Sequence, residues 1–195
     1  FVDAHTSLGV INQINRFEGH NGNENAGPVH GGTRALDALD LCDSGFEMAR
    51  RGGVTTVLSG PGKSNLIGGA YCAVKTGGKG YIDRVIKPEA AYHFVLSGEP
   101  RSVYGGKNNS PQTRMGSVSL IREALFKARE YKEKKLRPGN DEQYNFNLEA
   151  LSRVFDGMLV KISAVKESDI TAAIRLKNEF SLNITLDTCY DAIDM

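Results

Sequence analysis

Residues 159–186 read LVKISAVKESDITAAIRLKNEFSLNITL, and the fold class turns on them. The run 159–164 is short, apolar and rich in β-branched residues, as a buried strand is. Ser168 is placed to cap a helix, and Ile170, Ala173, Ile174 and Leu176 then recur at three and four, giving one apolar face. Residues 183–186 return to a strand pattern. Strands joined through a helix pair in parallel, because a parallel crossover needs a dozen or more residues. The unit is therefore α/β.

The same alternation extends toward the start of the chain. Residues 1–10 open as a short strand that breaks down at Ser7 and Gly9. Residues 54–58 are a β-branched run without alternation, as a strand covered on both faces would be. Residues 90–96 are a third strand candidate. Between them lies a helical pattern with Ala35, Leu36 and Leu39 in one patch and Phe46, Met48 and Ala49 in another. Gly52-Gly53 stops it. Thr113 can cap a helix whose Val118, Ile121, Leu125 and Ala128 share a face. Residues 148–155 read as a further short helix, whereas 65–75 fit neither period. The expectation is an α/β chain of about five parallel strands with flanking helices. The break at 138–145 is short for a linker, so residues 1–195 read as one domain.

Composition narrows the functional classes. Lys+Arg 24 against Asp+Glu 23 leaves a net charge of +1, which gives no electrostatic footprint for nucleic acid or an anionic membrane. No apolar run approaches the length of a membrane span. The three cysteines, Cys42, Cys72 and Cys189, are odd in number and far apart, which suits a reducing cytoplasm rather than a disulfide scaffold. The chain begins at Phe1, already in strand pattern, which reads as a cut or processed start.

Polar residues gather just after the strands: His5 and Ser7, 59–63, 97–101, Ser163, and Asp187 with Thr188. Ligand sites of parallel α/β folds lie at such strand ends. The stretch SGPGKS at 59–64 lacks the spacing of a nucleotide-phosphate loop, and Pro61 removes a backbone donor. Cys189 has no histidine near it in sequence and reads as inert. His93, inside a strand, reads as structural.

Val2-Asp3-Ala4-His5-Thr6-Ser7-Leu8-Gly9 resembles the first-strand signature of the metal-dependent amidohydrolase superfamily, Asp-Ala-His-Thr-His. Further stretches resemble its imidazolonepropionase-like branch: Glu18-Gly19-His20-Asn21-Gly22-Asn23-Glu24, Gly52-Gly53-Val54-Thr55-Thr56-Val57, Gly98-Glu99-Pro100 with Val103-Tyr104-Gly105, and Thr113-Arg114-Met115-Gly116. The resemblance implies an eight-stranded (β/α) TIM barrel with a small β-sandwich, and a divalent metal, usually zinc, that activates water for hydrolysis of C–N bonds in cyclic amides. It implies metal-ligand roles for His5 and Glu99, and substrate-binding roles for His20 and Arg114.

The sequence departs from that pattern at several ligands. Ser7 stands at the second histidine of the first strand, Ser163 and Thr188 at the histidines of two later strands, and Val165 at a neighbouring histidine. Hydroxyls are poor zinc ligands at neutral pH. The expected protein is a partial barrel, not closed within this chain, with neither the flanking sandwich nor the later strands. It is a degenerate amidohydrolase that does not hold zinc tightly and has weak or no metal-dependent activity. The alternative is a non-catalytic module that binds a small molecule. The open sheet predicts either association with missing chain segments or a homo-oligomer that covers barrel-facing apolar side chains.

Overall fold

The computed structural model describes residues 1–12, 17–139 and 142–194. Six strands form one sheet: β1 (Val2–Thr6), β2 (Thr56–Ser59), β3 (Ile67–Lys75), β4 (Val85–Val95), β5 (Val160–Ser163) and β6 (Ile184–Asp187). They lie side by side in chain order. β1 pairs with β2, β4 with β5, and β5 with β6 in parallel. The two pairings that involve β3 are antiparallel.

The all-parallel, five-strand expectation is thereby corrected to a mixed six-stranded sheet. The missed strand is β3, where Gly68-Gly69-Ala70 carries too little side chain to give a β signal. Between β3 and β4 lies only a one-turn helix at Gly80–Arg84, too short for a parallel crossover. The chain therefore turns back on itself as a hairpin.

The helices named below are α1 (Ser44–Arg51), α2 (Gly80–Arg84), α3 (Glu99–Gly105), α4 (Arg114–Lys135), α5 (Phe146–Ser152) and α6 (Glu167–Phe180). Thr113 caps α4 as expected, its hydroxyl accepting from the Gly116 amide at 3.0 Å. Ser168 does not cap α6. The helix begins one residue before it, and the Lys166 amide donates to the Asp169 carboxylate at 3.3 Å. Asp43 caps α1 by accepting from the Gly45 amide at 2.9 Å. Met48 of that helix is exposed rather than packed. Among the described residues no helix is long and apolar enough to cross a membrane.

Alternation along the strands separates two faces. Tyr92, Phe94, Val160 and Ile162 point to one side, where Ile121, Leu125 and Ala128 of α4 and Ala172, Ala173, Leu176 and Phe180 of α6 complete the main core. A smaller core joins Val10, Ala35, Phe46, Val57, Cys72 and Val74. His93, Lys161, Ser163, Thr185 and Asp187 alternate with the core residues and share the other, concave face. The expectation of apolar barrel-facing side chains fails on β5 and β6, whose inward positions Lys161, Ser163, Thr185 and Asp187 are polar, while β4 puts His93 there beside Val95. The sheet is curled tightly enough that His5 of β1 meets Asp187 of β6, although these are the two outermost strands.

Candidate functional site

Asp187 is the centre of the concave cluster. It ends β6, in register with Ser163 at the end of β5. Its Oδ1 accepts from the Ser163 hydroxyl at 2.7 Å and from the Thr188 hydroxyl at 3.2 Å. Its Oδ2 makes no directed hydrogen bond but lies in two ion-pair contacts, 2.5 Å from His5 Nδ1 and 3.2 Å from Lys161 Nζ. Burial works to raise the Asp187 pKa. The close approach of His5, the hydrogen bond from Ser163 and the charge of Lys161 outweigh it and hold the carboxyl well below the usual carboxylate range.

Two histidines and a tyrosine pack above this carboxylate. The His5, Tyr71 and His93 rings lie with centroids 5.1 to 5.6 Å apart, tilted or edge-on. The Tyr71 hydroxyl is 3.0 Å from His5 Nδ1. A neutral His5 that carries its proton on Nδ1, toward Asp187, has its lone pair on Nε2. Burial, then the charge of Asp187, pushes the Tyr71 phenol far above its ordinary value. Gly60 lets that ring sit where it does, since a Cβ there would fall 1.9 Å from Tyr71.

His93 is fully buried, and its Nε2 lies 3.0 Å from the Ser163 hydroxyl. That hydroxyl gives its proton to Asp187, so His93 Nε2–H is the donor to Ser163. His93 Nδ1 has no hydrogen-bond partner among the described residues. Burial lowers the His93 pKa to about 3, with His5, Lys63 and Lys161 adding to the effect and Asp187 opposing it. The ring is neutral near pH 7. Lys63, in the loop after β2, is a half-buried cation whose charge reaches His93.

The residues singled out from the sequence fall into two groups. His5, Ser163 and Thr188 meet at Asp187. Ser7 lies in the turn after β1, where its carbonyl accepts from the Val10 and Ile11 amides. Glu99 opens α3 and is exposed, without a hydrogen bond or ion pair among the described residues, and the partner of His5 is Asp187 instead. His20 is exposed and bridges to Ile11. Arg114 opens α4 and pairs with buried Asp169 at 2.7 Å, so the acid it holds is structural.

Two members of the cluster, Tyr71 and Lys161, were not singled out; Asp187 was marked only as a polar strand-end residue, and His93 only as structural. Lys161 had a readable signal, a charge on the inward register of an apolar strand. Tyr71 lay in the segment that fits neither period.

No family model and no curated protein matches the chain. A solved structure does: an amidohydrolase from Thermotoga maritima MSB8, with a TM-score of 0.90 and 30% sequence identity over 95% of this chain. The chain has the fold of half an amidohydrolase. It spans 50% of that protein's length.

Amidohydrolases generally use divalent metals. Among the described residues no group of three or more His, Cys, Asp and Glu side chains is placed to hold a metal ion. The donor chemistry agrees, because the oxygens of Asp187 are engaged by two hydroxyls, an imidazole and an ammonium. Metal ligation needs a free carboxylate oxygen and an imidazole lone pair aimed at the ion. The residues present do not fit the group.

Proposed function

We propose that this chain is a hydrolase of C–N bonds, with cyclic amides of the imidazolone type as its substrate class, and that it works without a tightly bound metal. The observation that carries the reading is the His5–Asp187 pair at the strand ends of a half-barrel that superimposes on an amidohydrolase. Asp187 orients the imidazole through Nδ1, and Nε2 is left as a base. Water loses a proton to Nε2 as its oxygen adds to the amide carbonyl. The same proton then passes to the leaving nitrogen as the C–N bond breaks. The three cysteines are free thiols, which supports a cytoplasmic setting.

The test is hydrolysis of a panel of imidazolones, hydantoins and other cyclic amides, with and without a chelator. Slow turnover that survives the chelator and falls about 100-fold or more in His5→Ala is expected. Turnover that needs added metal, or that His5→Ala leaves unchanged, overturns the reading.

A second reading is favoured by a separate observation. A cavity of about 410 Å³ lies beside the Asn/Gly loop, lined by Asn21, Gly22, Glu24, Arg34 and Pro61 among others. His20 precedes the first of these residues in the chain. In this reading the half-barrel binds a small molecule without turning it over. A ligand-induced rise in melting temperature with no product formed distinguishes it.

A further inference from the structure

The Lys161 side chain is only 6% exposed, and lysine is almost never buried unless paired. Its strand explains how it came to be inside. Val160 and Ile162 face the helices, so Lys161 must face the concavity, level with His93 across the β4–β5 register. Its ammonium lies 3.2 Å from Asp187 Oδ2, the oxygen that His5 Nδ1 approaches from its own side at 2.5 Å. Ser163 and Thr188 take the other oxygen. Both oxygens are thereby engaged, Oδ1 by two hydroxyl hydrogen bonds and Oδ2 by two ion-pair contacts.

Such a centre is electrostatically complete. A divalent ion bound to Asp187 and His5 would sit about 2.0–2.2 Å from each ligand. That position lies within a few ångström of the Lys161 ammonium, where like charges in a poorly solvated site repel strongly. We propose that the Lys161 ammonium is the resident cation of this centre, standing in the electrostatic place of a divalent metal and keeping one out. It acts through Asp187 and is therefore a positioning residue. Removing it would free Asp187 Oδ2 between two imidazoles whose rings are 5.5 Å apart, His5 and His93, the second with an unpaired buried nitrogen. The inference concerns which cation occupies the Asp187 centre and stands whether or not the chain turns over an amide.

The experiment measures zinc binding by titration calorimetry and by thermal shift at pH 7.5. It uses the unsubstituted chain, Lys161→Met, Lys161→Arg and the double variant Lys161→Met with His5→Ala. The unsubstituted chain and Lys161→Arg are expected to bind no stoichiometric zinc. Lys161→Met is expected to gain about 100-fold or more in zinc affinity, and the double variant to lose that gain. If Lys161→Met fails to fold alone, zinc should restore its folding, because the metal then replaces the ammonium. Stoichiometric zinc on the unsubstituted chain, with or without bicarbonate, overturns the proposal. So does zinc binding by Lys161→Arg, or a Lys161→Met chain that gains no affinity and is not rescued by zinc.

Discussion

At the scale of single residues, His93 and Asp187 govern the response to acid. The His93 pKa is lowered to about 3 from an ordinary 6.5. Between those values the unfolded chain binds a proton that the folded chain does not, so stability falls as pH drops below about 6.5. From pH 7 to pH 5 the His93 contribution to that loss is about 2 kcal/mol. Urea unfolding of His93→Gln at both pH values should show a correspondingly smaller loss than the unsubstituted chain. Asp187 works in a lower window. Its folded pKa is depressed, so its contribution is present above the ordinary carboxylate value and fades as pH falls below it. Asp187→Asn leaves buried Lys161 without its counter-charge and should cost about 3–5 kcal/mol at pH 7, read from the same unfolding curves. Burial pushes the Cys72 thiol up to about 11, whereas Cys42 is exposed. Alkylation at pH 8 followed by peptide mapping should therefore label Cys42 well before Cys72.

At the scale of elements, α4 carries the outer layer of the main core through Ile121, Leu125 and Ala128. Its start depends on the Thr113 hydroxyl. Thr113→Ala should destabilise the chain by about 1 kcal/mol, and Thr113→Ser should recover most of it, as read from the midpoint of chemical unfolding. The elements with a strong local period were legible: β5, α6 and β6 fall where the alternation in 159–186 puts them. β3 was not legible. Its glycines suit close neighbours rather than strand propensity; a Cβ on Gly69 would meet the Thr33 hydroxyl at 2.1 Å.

For the whole molecule, the consequence is two open edges. Among the described residues β1 pairs only with β2, and β6 only with β5. Large apolar side chains flank both: Phe1 and Val2 at the first edge, and Tyr190 and Ile193 just past the last strand. Unpaired edges beside exposed apolar groups favour association. Expressed alone, the chain should sediment as a homo-oligomer at a concentration of about tens of micromolar, and Val2→Lys with Ile193→Lys should shift it toward monomer. A monomer with no concentration dependence would count against this.

Local periodicity and capping chemistry were enough to establish an α/β chain, the β5–α6–β6 unit and the Thr113 cap, because each depends on residues within one or two turns of one another. His5 and the hydroxyls of Ser163 and Thr188 could also be marked from sequence, as residues at strand ends. The tertiary structure alone decided that β3 runs antiparallel to both neighbours, that β5 and β6 are polar on the concave face, and that His5 finds Asp187 rather than Glu99. Those outcomes depend on how far the sheet curls, and curl brings together side chains from opposite ends of the chain. No local pattern encodes such a meeting, since strand propensity is indifferent to which distant carboxylate an inward-facing imidazole will reach.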